Sequence, residues 1–124
     1  MKEDKGRLPF IPLRGMTIFP NMVIYFDVGR EKSRKALEKA MIDDQIIFLS
    51  TQKDSAIEEP KENDVNDIGV ICKVKQILKL PKDNVRVLIE GMDRAKIINF
   101  LDNEEFLEVE VPTTYSEIIE IFRW

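Results

Sequence analysis

The spacing of apolar and polar positions changes rhythm several times along the chain, and each change predicts an element. Residues 8–31, LPFIPLRGMTIFPNMVIYFDVGRE, are largely apolar yet hold Pro9, Pro12 and Pro20 as well as Gly15 and Gly29. Prolines at this density forbid a helix, because each removes an N–H donor and drives its predecessor to extended geometry. The segment therefore reads as an extended ribbon with turns at Arg14-Gly15 and Pro20-Asn21, then a strand over 22–28. Alternation puts Met22, Ile24, Phe26 and Val28 on one face of that strand, and Val23, Tyr25 and Asp27 on the other.

Residues 30–44 switch to helical period, with Ser33, Ala36, Leu37, Ala40 and Met41 on one stripe. Asp43-Asp44 suits the helix macrodipole badly and marks the end. The next run, QIIFLS over 45–50, is apolar on both faces, the mark of a buried strand. A helix between two strands makes a crossover, so the two strands are expected as neighbours or flanking another strand. Residues 52–66 lack periodicity and carry Glu58, Glu59, Glu62 and Asp64, which predicts a solvated loop. A calcium loop beginning at Asp64 fails, because Ile68 and Lys75 stand where oxygen ligands belong.

Residues 68–80 and 85–100 give the longest strand signal, joined by the turn residues Pro81, Lys82, Asp83 and Asn84. Folding symmetrically about Lys82-Asp83 pairs Leu80 with Val85, Leu78 with Val87, Gln76 with Ile89 and Val74 with Gly91. The opposite face then pairs Lys75 with Glu90 but sets Lys79 against Arg86. Gly91 predicts a bend or bulge. A turn at 102–105 leads to a strand over 106–111 with Leu107, Val109 and Val111 inward, closed by Pro112. Thr114 and Glu117 fit a capping box for a helix over 116–124. That helix would expose Ile118, Ile119, Phe122 and Trp124, so a longer parent protein or a packing partner is expected.

The sum is an α+β fold, mainly β, of about six strands and one main helix, closed by long hairpins into a barrel or sandwich. One domain over 7–113 is expected, with a flexible tail at 1–6 and the start of a truncated helical linker at 114–124. The 124 residues are 44% hydrophobic and 34% charged, proportions of a globular chain. No apolar run approaches the roughly 20 residues that span a bilayer, so no membrane partner is expected. The single Cys72 has no internal disulfide partner, which fits a cytoplasmic location. Net charge is −4, which argues against general nucleic-acid binding. Histidine is absent, which removes His-based triads, Cys–His pairs and His-containing zinc sites.

Beyond these physical patterns, the run FIPLRGMTIFPNMVIYFDVGREKSRKALEKAM resembles the start of the N-terminal domain of bacterial Lon proteases. The matching residues are Pro12, Leu13, Arg14, Phe19, Pro20, Met22, Val28, Gly29, Arg30, Glu31 and Ser33. The resemblance continues through Leu78-Lys79-Leu80-Pro81, residues 85–91 and Arg94-Ala95. Many members carry proline where this chain has Tyr25-Phe26, a departure that touches a surface more than the fold. The resemblance implies a PUA-like six-stranded barrel or sandwich that recognises unfolded or degron-bearing proteins. It also implies help in assembling a homohexameric ring. In the parent, ATP and magnesium would serve an ATPase module, and a Ser–Lys peptidase module would cut. The chain has no GxxxxGK[ST] pattern, so neither catalytic residues, a cofactor nor a metal is expected within it.

The substrate or partner surface is expected at Met16, Ile18, Phe19, Pro20, Met22 and Tyr25, since Met and Phe adapt to varied apolar partners. Each of these is equally suited to the core. The pairs Asp43-Asp44, Glu58-Glu59 and Glu104-Glu105 read as surface charge, because adjacent side chains diverge. Cys72 reads as a small buried side chain. Lys73, Lys75, Lys79, Lys82 and Arg86 form an outward basic row, read first as lysines protecting a sheet edge and second as a nucleic-acid patch. A purely structural oligomerisation domain and a PUA-like nucleic-acid module remain the competing functions.

Overall fold

The structure, a computed structural model, describes residues 5–112. The capping box and helix expected over 114–124 lie outside the described residues. In chain order the elements are β1 (Lys5–Leu13), β2 (Val23–Val28), α1 (Glu31–Ile42), β3 (Ile46–Thr51), β4 (Ile68–Lys79), β5 (Val85–Lys96), β6 (Asn99–Asp102) and β7 (Leu107–Pro112). The architecture is mainly β with one α-helix, as the alternation predicts. Seven strands replace the expected six, in one curled sheet of order β2-β5-β4-β3-β1-β7-β6. The sheet is not closed, so barrel describes it only loosely: β2 and β6 remain as edges.

Two expected segments differ in extent, and the second of them yields the extra strand. The proline-rich ribbon is regular strand up to Leu13, and it starts at Lys5, inside the expected tail, with Lys5 opposite Pro112 and Gly6 opposite Val111. The long arm 85–100 is also two strands. β5 follows β4 as far as Lys96, opposite Ile68; Ile97 N–H then donates to Asp67 O and Ile98 N–H to Glu110 O, so the chain turns a corner onto β7.

The expected β2-to-β3 crossover is not made: β5 and β4 lie between the two strands, and three successive antiparallel pairings leave β2 and β3 running in opposite directions. β1 and β3 run parallel, joined through β2 and α1. Helix α1 buries Ser33, Ala36, Leu37 and Ala40. Met41, expected on that stripe, is 38% exposed and lines an open cleft between the end of the helix and the β4–β5 hairpin. The helix is flanked by ion pairs Glu31–Lys35 and Lys39–Asp43, both four residues apart.

Strand β3 is apolar on both faces because the curled sheet has two cores. Ile47 and Leu49 join Ile11, Leu13, Val70, Cys72, Val74, Val87 and Ile89 beneath α1. Phe48 joins Phe10, Ile71, Ala95, Leu107 and Val109 on the other face, where the Phe10 and Phe48 rings lie 5.8 Å apart.

The β4–β5 hairpin departs from the symmetric register. Its tip is a single 3₁₀ turn, Pro81–Asp83, with Lys82 and Asp83 both at φ 64°, closed by Leu80 N–H donating to Asn84 O at 2.9 Å. Lys79 therefore faces Val85 and Ile77 faces Val87, one residue off the symmetric pairing. A one-residue slip reverses faces, so Ile77 turns inward and Leu78 outward. A bulge at Lys75 then restores Val74 to the core opposite Ile89. The expected Lys79–Arg86 clash does not form, because Arg86 pairs with Asp27 on β2. β4 is also central, so its lysines protect no edge.

Candidate polypeptide-binding surface

The ribbon after β1 is shaped by its special residues. Gly15 takes φ 68°, and Thr51 Oγ donates to Met16 O at 2.7 Å, holding the first bend to β3. The second bend is a β-turn with Pro20 second and Asn21 third at φ 72°, closed by Met22 N–H donating to Phe19 O at 3.2 Å. Proline in the second position and a positive φ at the third is the type II arrangement.

This turn lies directly on Gly91. Asn21 N–H donates to Gly91 O at 2.9 Å, and Gly91 N–H donates to Met22 O at 2.8 Å. A Cβ at position 91 would stand 2.5 Å from Phe19 O. The glycine expected to bend β5 does accompany a bulge, at Met92, and also admits the backbone of the turn.

With the turn pinned, neighbouring side chains diverge. Ile18 is buried in the core beneath α1, which removes it from the expected surface. Phe19 is 50% exposed, Tyr25 60% and Val23 57%. Met16, Pro20 and Met22 are half-buried, with Met16 packed against the core and Met22 Sδ accepting from Phe19 N–H. Val23 shares the outward face of β2 with Tyr25. Its exposure follows from the same alternation, so it belongs to the surface although apolarity at the turns did not select it. These exposed aromatic and β-branched groups on a fixed turn and strand form an apolar patch.

Beside this surface lies a cleft of about 720 Å³ between residues 11–14 and 25–29. Arg14 and Arg30 line it and also a second, smaller cleft with Glu58 and Asp102. Arg30 donates to Gln52 Oε1 at 2.5 Å, while buried Gln52 donates to Asp54 O and Ile57 O and so fastens the acidic loop. Burial and then the nearby Arg14 lower the Arg30 pKa, with Glu58 opposing. The loop 52–66 is tied down at both ends, with Gln52 bridged to Val65 and Asp64 half-buried, while Glu58, Glu59 and Glu62 face solvent as expected.

The other singled-out residues sit as follows. No cluster of acidic or thiol side chains suited to a metal occurs among the described residues. Cys72 is buried and its thiol pKa is pushed up to about 12 by desolvation. The basic row does not form as expected: the slipped register puts Lys79 with Ile77 on the side of α1, while Lys75 meets Glu90 at 3.5 Å and Arg86 meets Asp27 at 2.8 Å. The Arg86 hydrogen bonds hold the Asp27 carboxyl below its usual range. No helix among the described residues is long and apolar enough to cross a membrane.

Residues 7–119 match the family model described as the ATP-dependent protease La (LON) substrate-binding domain. The chain is 60% identical over 111 residues to the Lon protease of Clostridium acetobutylicum, covering 90% of this chain and 14% of that protein. It is 43% identical over 116 residues to Lon protease 1 of Bacillus subtilis, covering 94% and 15%. The fold matches the N-terminal domain of Mycobacterium avium complex Lon protease at TM-score 0.68, with 19% identity over 86% of this chain and 53% of that one. It also matches a Lon N-terminal domain protein from Xanthomonas campestris at TM-score 0.65, with 11% identity over 86% and 58%. The apolar turn, the edge strand and the helix thus sit in a segment spanning about a seventh of these curated relatives, and the chain belongs to the LON substrate-binding domain family.

Proposed function

We propose that this chain is a non-catalytic recognition module in ATP-dependent proteolysis, and that it engages unfolded or degron-bearing polypeptides through Phe19, Val23 and Tyr25, flanked by Met22 and Pro20. The observation that carries the reading is the exposure of these large apolar groups on a turn locked to Gly91. Ile42, Ile68, Leu78 and Ile98 are exposed as well, but Phe19, Val23 and Tyr25 lie together on one turn and the strand that follows it. The name of the matching family supports polypeptide substrates. In this reading ATP hydrolysis, magnesium binding and peptide cleavage belong to other parts of a cytoplasmic, homohexameric parent. The chain itself carries neither a P-loop pattern nor a histidine.

The test is a titration of the ¹⁵N-labelled chain with reduced, carboxymethylated α-lactalbumin, a protein that stays unfolded. Shifts centred on Phe19, Val23 and Tyr25 are expected. An unchanged spectrum at millimolar probe removes the recognition role and leaves assembly of the parent as the function.

A further inference from the structure

We propose that β2 is a strand-addition site: an extended segment of another polypeptide hydrogen-bonds along its free edge inside the cleft, with an acidic side chain of that segment held by Arg14 and Arg30. This rests on the polypeptide-binding reading above and gives it a geometry.

The phase of the β2–β5 ladder determines which backbone groups are free. Gly91 N–H donates to Met22 O, so the antiparallel pairs Val23–Glu90, Tyr25–Leu88 and Asp27–Arg86 are the non-hydrogen-bonded ones. The N–H and C=O of Val23, Tyr25 and Asp27 therefore point away from β5. Among the described residues no other strand pairs with β2.

Sheet edges are ordinarily blunted by lysine, proline, bulges or brevity. The other edge, β6, has only four residues, with Asn99 and Asp102 at its ends. β2 has six, VIYFDV, without lysine, proline or bulge, and its single charge is engaged by Arg86. Such an edge suits pairing with an incoming strand.

The cleft supplies the room and the charge. Its far wall is residues 11–14, beyond the reach of β7, whose pairing with β1 stops at Phe10. The gap in the sheet thus lies between two strand segments that each have an open side. Its inner lining includes Met16, Phe26 and Val28, which suits alternate apolar side chains of an added strand. At the Gly29 end stand Arg14 and Arg30, and buried Nη1 of Arg30 has no hydrogen-bond partner. A carboxylate there satisfies a guanidinium and screens two like charges.

The occupant is a separate polypeptide. The buried guanidinium nitrogen of Arg30 that lacks a partner calls for a carboxylate, which an incoming acidic segment supplies. A second copy fits less well, because two β2 strands paired antiparallel about their centre bring Val23, not a carboxylate, to the arginine end.

The experiment compares Tyr25→Pro with Tyr25→Ala in the 124-residue chain. Both remove the ring, but only proline removes the outward N–H. Neither touches the ladder to β5, so both are expected to fold, with native amide spectra as the check. The probe is reduced, carboxymethylated α-lactalbumin, followed by anisotropy and amide exchange. Tyr25→Pro is expected to bind about tenfold more weakly than Tyr25→Ala, from one lost hydrogen bond and a blocked edge. In the wild type, exchange at Tyr25 and Asp27 is expected to slow at least about tenfold on binding, by the protection that hydrogen bonding gives. A ten-residue alternating peptide ending in aspartate is expected to outcompete its lysine counterpart, and Arg30→Gln to erase the difference.

Equal binding by the two Tyr25 variants, with unprotected Tyr25 and Asp27 amides, overturns strand addition while the side-chain surface stands. Failure of the wild type to bind overturns both readings. Probe-independent dimerisation lost only in Tyr25→Pro overturns the separate-polypeptide occupant.

Discussion

Replacing Gly91 by alanine places a methyl group 2.5 Å from the carbonyl oxygen of Phe19 and 3.4 Å from Pro20 Cα. Both are backbone atoms, so no side chain can swing aside. The turn must retreat by roughly 0.9 Å to regain ordinary contact. Two hydrogen bonds join it to position 91, at 2.9 and 2.8 Å, and such a retreat carries both beyond good geometry. Each contributes about 1 kcal/mol net, and overpacking adds about 1–3 kcal/mol. Gly91 has an ordinary φ, so alanine also gains about 0.4–1 kcal/mol through a stiffer unfolded chain. The balance is a loss of about 2–4 kcal/mol. Urea unfolding followed by circular dichroism measures it, and amide shifts localise it to Phe19–Met22 and β5. A loss under about 0.5 kcal/mol, within the range of a neutral surface change, refutes the claim that Gly91 seats the turn.

Ile18→Ala is expected to cost about 2–4 kcal/mol as a core truncation, whereas Phe19→Ala, one residue on, changes stability by under about 0.5 kcal/mol yet weakens client binding; equal stability losses contradict the opposite placements of Ile18 and Phe19. Cys72 is expected to ignore Ellman's reagent at pH 8 until urea unfolds the chain. Its folded pKa, near 12, lies above the unfolded value, so its share of stability is complete below about pH 8.5 and declines as pH rises towards 12; rapid labelling of the native thiol contradicts its burial. Asp27 is depressed in the fold, so its share is present above about pH 3.9 and is lost as pH falls through the folded value. Arg86→Gln is expected to return the Asp27 carboxyl to the ordinary range by NMR titration, and an unmoved titration denies the pairing.

Strand and helix positions were legible because their periods are strong. Residues 23–28 alternate as the pattern demands, and IIFLST is buried on both faces. The β4–β5 register was not legible. The tip places Lys82 and Asp83 in the left-handed region, and the bulge at Lys75 then shifts the pairing by one more residue, which returns Val74 to the inward face. Neither residue carries a glycine signal. The break at Ile97-Ile98 was hidden because both residues suit a strand, and only the corner onto β7 ends β5 there. The turn at Pro20-Asn21 was legible from its proline and asparagine, but apolarity alone could not divide Ile18 from Phe19. Their fates depend on the seat that Gly91 provides. The cleft was invisible, since it arises where β1 and β2 fail to pair.

The most direct measurement is the affinity of the 124-residue chain for reduced, carboxymethylated α-lactalbumin, compared with Phe19→Ser/Val23→Thr/Tyr25→Ser. These three side chains are exposed, so the variant is expected to unfold at the wild-type urea concentration. Binding is predicted to fall at least about tenfold, the effect of losing roughly 1.4 kcal/mol of apolar contact. Undiminished binding by a folded variant contradicts the account.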